Sequence, residues 1–302
     1  MIRIGSRGSQ LALWQAHHIA DALRSLGQTV STEIIRTTGD RMQSVPFASV
    51  GAKGMFTKEI EEALLAGAID LAVHSLKDLP TELGEPFVLG AIPPRADPRD
   101  VLVSERYAGL SALPAGAVVG TSSLRRQAQL RALRPDLTFI EFRGNVDTRL
   151  AKLGQGKADA IILAAAGLDR LQKTAGVRER FAPEVLCPAP GQGALAIECR
   201  AGDTAMLTAL QPLEDQATRQ CIVAERRCLA SLGGGCLVPI GAYCYRDGDE
   251  LRLRAVVASA DGRQVISGAK QHADPEVLGN MVAQFLLDRG AGAILGLEEK
   301  RA

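Results

Sequence analysis

The sequence predicts an α/β protein in which two similar α/β halves precede a smaller α+β domain. Apolar strand-like segments alternate with helical ones through both halves, which is typical of βαβ units and predicts a mainly parallel sheet in each. A strand that ends in a loop of glycine and hydroxyl residues before a helix occurs near residue 5 and again near residue 120. After about residue 213 the pattern changes to one long helix and three segments that suit an antiparallel sheet.

The first half begins with a strand at residues 2–4, a loop at 5–9 and an amphipathic helix from about residue 10 to 26. Its later strand, at residues 67–73, resembles the segment 156–162 of the second half, because each leaves a helix and ends in a loop. This internal similarity predicts two α/β halves with one plan and a central cleft between them. In such sheets ligands bind beyond the carboxyl ends of the strands.

The second half repeats the sequence of strand, loop and helix start. A strand ends near Val119, the hydroxyl residues 121–123 follow, and a helix begins at Leu124. Small hydroxyl residues are favoured at the start of a helix, where their oxygens accept backbone N–H groups. Helix starts also collect anions. The loops that follow the strands are therefore the predicted ligand-binding region.

The C-terminal part is predicted to be a smaller α+β domain with a three-stranded antiparallel sheet. Its elements are, in order, a helix over about 213–232, strands at 240–245, 251–259 and 264–271, and a last helix opened by Pro275. This domain carries Cys236.

Composition limits the classes of function. The 302 residues include 35 basic and 34 acidic side chains, and the net charge of +1 argues against broad attraction to nucleic acid or an anionic membrane. Aromatic residues make up only 4% of the chain, which is too few for the stacking platforms of nucleic-acid binders. The amino terminus shows no apolar signal segment, and no uncharged run approaches the length that crosses a bilayer. These features predict a cytoplasmic protein with no nucleic-acid or membrane partner.

The cysteines and histidines form no metal-ligand pattern. The six cysteines include no Cys-x-x-Cys pair, and His17 and His18 are adjacent on a predicted helix, so they point in different directions. We therefore predict no bound metal, and thiols in place of disulfides.

Cys236 follows three glycines at 233–235 and precedes a Val-Pro turn. The glycines remove side chains that would crowd a group attached to the sulfur, and Pro239 fixes the exit of the loop. A thiol in this setting suits covalent attachment. It also suits a buried cysteine in a tight turn, because free cysteine often packs as a small hydrophobic residue.

Charged residues recur in the loops that follow the strands. The cations are Arg7, Lys53, Lys77, Arg125, Arg126, Arg143, Arg149 and Arg170. Any one of them can be a solvated surface charge, but eight in equivalent positions of a repeated plan predict a polyanionic ligand that carries carboxylates or phosphates. Asp78 follows the apolar strand that contains Val73. Its carboxylate can manage protons or stabilise a developing cation, or it can be a turn aspartate paired with Lys77.

Seven ordered motifs resemble those of the porphobilinogen deaminase family, also called hydroxymethylbilane synthases, and they cover almost the whole chain. They are LALWQA at 11–16, KGMF at 53–56, HSLKDLP at 74–80, GTSSLRRQ at 120–127, RGNVDTRL at 143–150, GQGA at 191–194 and the glycine-rich Cys236 loop. Seven motifs in order are far more specific than a lone short pattern.

The resemblance implies three domains, the first two with the topology of periplasmic binding proteins. Their boundaries are 1–93 with 193–211, then 99–188, then 215–302. It implies a transferase of tetrapyrrole and heme biosynthesis that deaminates and condenses four porphobilinogen molecules head to tail on a covalently bound dipyrromethane cofactor. The product is the linear tetrapyrrole hydroxymethylbilane. Porphobilinogen and the growing oligopyrrole chain are then its partners, and the family leads us to expect a monomer.

The resemblance also implies roles for individual residues. Asp78 becomes the catalytic carboxylate, and Cys236 becomes the thioether anchor of the cofactor. The other side chains that bind the cofactor are then Ser9, Lys77, Thr121, Ser123, Arg125, Arg126, Arg143 and Arg149. Those that bind substrate are Arg7, Lys53, Arg143, Arg149, Arg170 and Gln192.

The alternative from another class is a two-lobed cytosolic protein that binds a small anion. It accounts for a cleft and for the arginines, but it does not account for Cys236 in its loop. It predicts reversible binding and no covalent adduct.

Overall fold

The computed structural model describes residues 1–38, 57–234 and 238–297. Its strands are β1 (Ile2–Ser6), β2 (Val30–Ile34), β3 (Leu71–Ser75), β4 (Phe87–Ala91), β5 (Asp100–Val103), β6 (Val118–Gly120), β7 (Thr138–Ile140), β8 (Ala160–Ala164), β9 (Val177–Arg180), β10 (Leu195–Arg200), β11 (Ile240–Asp247), β12 (Glu250–Ala258) and β13 (Val265–His272). Its helices are α1 (Gln10–Ser25), α2 (Lys58–Leu65), α3 (Leu124–Leu133), α4 (Val146–Gly154), α5 (Ala165–Arg170), α6 (Thr204–Leu210), α7 (Gln216–Ser231), α8 (Pro275–Leu287) and α9 (Ala291–Ile294). Within the described ranges, no helix is long and apolar enough to cross a lipid bilayer.

The chain divides into two compact units. One comprises Met1–Ala96 and Ala194–Arg219, and the other comprises Asp97–Gly193 and Gln220–Ala302. The second unit contains a large mixed sheet and the C-terminal antiparallel sheet. The division into three domains stays a prediction.

The first unit is built on a five-stranded sheet with the order β2-β1-β3-β10-β4. β1 runs parallel to β2 and β3, whereas β10 runs antiparallel to β3 and β4. The helix α1 buries Ala16, Ile19 and Leu23 in the core beneath this sheet. These residues recur every three or four positions, so they lie on one face of the helix. The start of α1 thus lies close behind the carboxyl end of β1.

The large sheet of the second unit has the order β7-β6-β8-β5-β9 and the same pattern of directions. β6 is parallel to β7 and β8, and β5 is antiparallel to β8 and β9. The predicted pair of similar α/β halves is therefore confirmed. In each sheet four of the five strands run in one direction, as expected of a mainly parallel sheet, and one strand runs antiparallel to its two neighbours. In each sheet the one antiparallel strand, β10 or β5, is reached from the other unit and not through a local helical crossover. Only such a crossover makes consecutive strands parallel.

The C-terminal part has an antiparallel sheet with the order β11-β12-β13, as predicted. Its core contains Cys228 from α7, Leu253 from β12 and Val282 from α8. The backbone N–H of Ala242 on β11 donates to the Pro188 carbonyl oxygen at 3.0 Å. This bond ties the antiparallel sheet to the segment that precedes Gln192.

Candidate active site

Four predicted site residues of the first unit lie at one edge of its sheet. Arg7 and Ser9 follow β1, and Lys77 and Asp78 follow β3. Because β1 and β3 are parallel neighbours, their carboxyl ends meet at this edge. Ser9 caps α1, with its hydroxyl oxygen accepting the Ala12 N–H at 3.3 Å. That hydroxyl still has its own proton to donate to a ligand oxygen.

Asp78 ends a short 3-10 turn, Leu76–Asp78, whose neighbours are buried. Leu76 and Leu79 are almost fully buried, whereas Asp78 is exposed. The Leu76 N–H donates to the Ala194 carbonyl at 3.1 Å, and the Leu79 N–H returns to the Leu76 carbonyl at 3.1 Å. The buried apolar residues on either side hold the turn in place, so the backbone that carries the exposed carboxylate is fixed.

Two polar contacts hold the end of β3 just before this turn. The Nε2 atom of His74 lies 2.9 Å from Oε2 of the fully buried Glu198 on β10. The side-chain amide of Gln15 on α1 donates to the Ser75 hydroxyl at 2.9 Å. Sequence reasoning assigned no role to Glu198 or Gln15. The available signal was a charged residue inside the apolar strand β10, because a buried charge needs a partner.

In the second unit, three adjacent parallel strands bring seven predicted site residues to one sheet edge. Thr121, Ser123, Arg125 and Arg126 follow β6, Arg143 and Arg149 follow β7, and Arg170 ends the helix that follows β8. The edge corresponds to the one that carries Asp78 in the first unit, since β6 and β8 occupy the places of β1 and β3.

The loop after β6 is organised by hydroxyl groups. The Ser123 hydroxyl oxygen caps α3 by accepting the Arg126 N–H at 3.4 Å, and the Thr121 hydroxyl oxygen accepts the Ser123 N–H at 3.3 Å. The side-chain amide of Gln127 donates to the Thr121 carbonyl at 2.8 Å. Both hydroxyls accept from the backbone, which leaves their protons for an anion at the helix start.

Arg125 and Arg126 are buried, and both donate to Asp100 at the start of β5. Arg125 Nη1 lies 2.6 Å from Asp100 Oδ2, and Arg126 Nη2 lies 2.6 Å from Asp100 Oδ1. Arg125 also donates to the Cys187 carbonyl and Arg126 to the Ile162 carbonyl. Burial alone would raise the pKa of Asp100, but the two guanidinium charges and their hydrogen bonds hold it well below its ordinary value. Sequence reasoning missed this carboxylate.

The loop after β7 holds Arg143 more loosely. Its Nε donates to Glu141 at 2.6 Å, and Glu141 is 58% exposed. Gly144 has a φ of +117°, a conformation that favours glycine, and Asn145 then caps α4 by accepting the Thr148 N–H at 2.8 Å. The predicted helix start between the two arginines of this motif is therefore observed.

Arg170 and Gln192 both donate to protein acceptors. Arg170 Nη2 donates to the Gly193 carbonyl at 2.8 Å, and burial lowers the pKa of its guanidinium to about 10, so it keeps its charge at neutral pH. Gln192 is fully buried, and its amide nitrogen donates to the Pro98 carbonyl at 2.7 Å and to Asp100 Oδ1 at 2.9 Å. The Gln192 side chain predicted to bind substrate thus lies in the interior, with its amide nitrogen bound to protein acceptors.

Two predicted site residues, Lys53 and Cys236, lie outside the described residues. Of the three glycines before Cys236, Gly233 and Gly234 are described. Gly233 has a φ of +64°, which favours glycine, and a Cβ on Gly234 would lie 2.6 Å from Leu229 Cδ1. Glycine is therefore favoured at 233 by the backbone conformation and at 234 by the side chains packed around it.

Comparisons with known proteins give the same family along the chain. A family model for the dipyrromethane cofactor binding domain of porphobilinogen deaminase matches residues 2–208, and one for the C-terminal domain of porphobilinogen deaminase matches 219–288. A porphobilinogen deaminase of Roseiflexus sp. (strain RS-1) is 54% identical over 295 residues, which are 97% of each chain. One from Stenotrophomonas maltophilia (strain K279a) is 51% identical and covers 98% of this chain and 99% of its own. Among solved structures, the periplasmic substrate-binding protein of an ABC transporter from Coxiella burnetii is 14% identical, with a TM-score of 0.44, covering 72% of this chain and 93% of its own.

Proposed function

The chain belongs to the porphobilinogen deaminase family, and from this premise we propose how its residues build a linear tetrapyrrole. The family's enzyme is hydroxymethylbilane synthase, a transferase of tetrapyrrole biosynthesis with a dipyrromethane cofactor. It acts on porphobilinogen. The family match over residues 2–208 and 219–288 is the observation that carries this function. On our proposal the enzyme acts in the cytoplasm as a monomer, and light scattering of the purified protein tests the oligomeric state.

The residues at the two sheet edges fit the chemistry of the cofactor. Each pyrrole of a dipyrromethane carries an acetate and a propionate, so the group needs several cations and hydroxyl donors. The second unit offers Arg125, Arg126, Arg143 and Arg149 together with the capping hydroxyls of Thr121 and Ser123. The first unit offers Lys77 and Ser9. We assign the cofactor carboxylates to this set. When bound, the cofactor supplies the free α-carbon at which the first new link is made.

Cys236 is the proposed anchor of the cofactor. It lies within the range matched by the C-terminal family model, 219–288. The run of glycines that precedes it in the sequence supports this assignment, since glycines bring no side chains that would crowd a group attached to the sulfur. The five cysteines of the described residues are all buried, at 187, 199, 221, 228 and 244. Burial raises the pKa of the Cys187 and Cys228 thiols to about 12, which disfavours the reactive thiolate there.

Asp78 is the proposed catalytic carboxylate. Porphobilinogen would lose ammonia from its aminomethyl group and leave an azafulvenium cation, and the new link would then form between that carbon and a free pyrrole α-carbon. Asp78 stabilises that cation through the pyrrole N–H and accepts the α-proton that the new link must lose. An oriented carboxylate is effective here because electrostatic stabilisation of developing charge often contributes more to catalysis than any other effect. The exposed position of Asp78 on a turn with buried neighbours supports this role.

The substrate and the growing chain add two carboxylates with every pyrrole. We assign Arg7, Lys53, Arg143, Arg149 and Arg170 to these groups. Arg143 suits the task because its present partner, Glu141, is exposed, and an exposed ion pair is weak enough for a ligand carboxylate to replace. The lowered pKa of Arg170 still lies well above neutral pH, so it binds as a cation.

The mass of the intact protein tests the proposal. The purified chain and its Cys236→Ser variant are weighed before and after porphobilinogen is added. We expect an adduct of two pyrrole units on the parent chain, growth in single-pyrrole steps, and no adduct on the serine variant. A parent chain that stays unmodified would contradict the proposal and favour the alternative of a protein that binds a small anion reversibly.

A further inference from the structure

A chain of buried polar groups in the second unit connects Gln192 to the two arginines of α3. Asp100, Gln192 and Glu225 are fully buried, and Arg125 and Arg126 are 5% exposed. The Asp100 carboxylate accepts from both arginines and from the Gln192 amide, which donates to its Oδ1 at 2.9 Å. Buried charges are costly unless they are paired and hydrogen-bonded. The orientation of this one carboxylate therefore determines where both guanidinium groups can lie.

Gln192 is held in turn from the C-terminal part of the chain. Glu225, on α7, accepts the Gly191 N–H at 2.7 Å and the Cys244 N–H of β11 at 2.8 Å. Gln192 follows Gly191 directly, and its amide also donates to the Pro98 carbonyl. Glu225 thus fixes the backbone next to Gln192 to the same helix that leads into the Cys236 loop.

The Asp100 carboxylate is shared by two cations and one neutral donor. Two guanidinium groups face it, and the Gln192 amide completes the coordination of Oδ1. A neutral donor orients the carboxylate without adding charge. Its loss would leave Asp100 free to move toward one arginine at the expense of the other, and both guanidinium groups would shift with it.

We propose that Gln192 is a positioning residue, which acts on the reaction through Asp100 and the pair Arg125 and Arg126, and that Glu225 holds it in place from the C-terminal part. The inference rests on the proposed function, in which these arginines bind the cofactor. It replaces a direct contact between Gln192 and substrate with an indirect role, because the side chain is fully buried and its amide is bound by the protein.

A double-mutant cycle distinguishes the two roles. Holoenzyme is prepared for the parent chain, Gln192→Met, Asp100→Asn and the double variant, and kcat/KM for porphobilinogen is measured with the mass distribution of extended species. We expect Gln192→Met to lower kcat/KM about tenfold and to accumulate partly extended chains, as the loss of a hydrogen bond to a buried charge predicts. The double variant should be no worse than Asp100→Asn alone, because residues of one network are not additive.

Effects that multiply in the double variant would overturn the proposal, since a direct substrate contact does not need Asp100. The bond to Pro98 is lost with and without Asp100, so it cancels from the cycle. If Asp100→Asn does not fold, Arg126→Lys takes its place, because it keeps the charge but loses the planar fork. The double variant of Gln192→Met with Arg126→Lys should then be no worse than Arg126→Lys alone. Effects that multiply would again reject the positioning role of Gln192.

A variant at the other end of α3 controls for lost stability. The guanidinium of Arg134, which directly follows α3, donates to the Leu110 and Leu113 carbonyls at 2.8 and 2.9 Å and pairs with Asp136, so Arg134→Met removes partly buried polar contacts next to the same helix without touching Asp100. It should lower the melting temperature and leave the distribution of extended species unchanged. Glu225→Gln should shift that distribution in the same direction as Gln192→Met, and a native distribution would remove Glu225 from the proposal. A parent chain without pyrrole adduct or turnover would instead mean that the proposed function itself has failed.

Discussion

Asp78 gives a sharp test because its place in the fold separates catalysis from stability. The side chain is exposed, whereas Leu76 in the same short turn is 1% exposed. We expect Asp78→Ala to remove the carboxylate that stabilises the cation and to leave the turn folded. Leu76→Ala is the matched variant, since it removes a buried side chain two residues away and keeps the carboxylate.

The structure predicts opposite effects for the two variants: Asp78→Ala should lose turnover and keep stability, and Leu76→Ala should lose stability. Exposed substitutions usually change the free energy of unfolding by less than about 0.5 kcal/mol. Loss of an oriented charge-stabilising group costs roughly 3 kcal/mol of transition-state stabilisation, or about a hundredfold in turnover. A buried Leu→Ala change costs roughly 2–5 kcal/mol of stability. Asp78→Ala should therefore be a stable, slow enzyme, and Leu76→Ala a destabilised one.

Turnover of porphobilinogen and urea unfolding are measured on both variants, each loaded with cofactor as judged by intact mass. Asp78→Glu is added, because it keeps the charge but moves it, and it should retain binding while losing much of the rate. Near-native turnover by Asp78→Ala would refute the catalytic role. A large loss of stability in the same variant would show that the carboxylate holds the turn and would make the rate uninformative.

The arginines, Asp100 and Gly144 allow three further tests. Arg126→Ala and Arg143→Ala should stall the enzyme with partly extended chains, whereas Arg7→Ala should mainly impair the first condensation. Identical mass distributions in all three variants would argue against distinct roles. The folded-state pKa of Asp100 lies below its unfolded value of 3.8, so its stabilisation is fully present above that value and is lost as pH falls through the folded-state pKa. Asp100→Asn should therefore lower the free energy of unfolding at neutral pH by about 3–5 kcal/mol, and the difference should shrink in acid melts below about pH 4. Gly144→Ala should cost about 1–3 kcal/mol in urea unfolding, because φ is +117° and a Cβ would lie 2.7 Å from Thr148, and an unchanged midpoint would contradict the strain.

Local patterns predicted the elements well because each depends on neighbouring residues. The helix expected over about 10–26 is Gln10–Ser25, and the strands expected at 240–245, 251–259 and 264–271 are Ile240–Asp247, Glu250–Ala258 and Val265–His272. Strand direction was not predictable in the same way. The apolar pattern of a strand such as β10 is the same whether the strand runs parallel or antiparallel to its neighbour. Its direction follows from the path of the chain between the units.

The strand-end loops of the site were predictable, but their buried partners were not. A loop after a parallel strand is recognised from the strand and the helix around it. Asp100 stands directly after Arg99 in a charged stretch and suggests a surface residue, and its partners are 25 and 26 positions away. Glu198 and its partner His74 are 124 positions apart. Such pairs come together only through the order of the strands in the sheet, and that order cannot be deduced from the periodicity of a single segment.

The partners found in the structure divide the arginines into two kinds. Asp100 is fully buried, so solvent and salt have little access to its pairing with Arg125 and Arg126. Glu141 is 58% exposed, and salt and ligand carboxylates compete readily for its partner Arg143. A protected arrangement suits a cofactor that stays attached through every cycle. An exchangeable partner suits a chain whose carboxylates must pass the same cation as each pyrrole is added. Turnover should accordingly fall as ionic strength rises, and this dependence should be weaker in Arg143→Ala, which has lost the exchangeable cation.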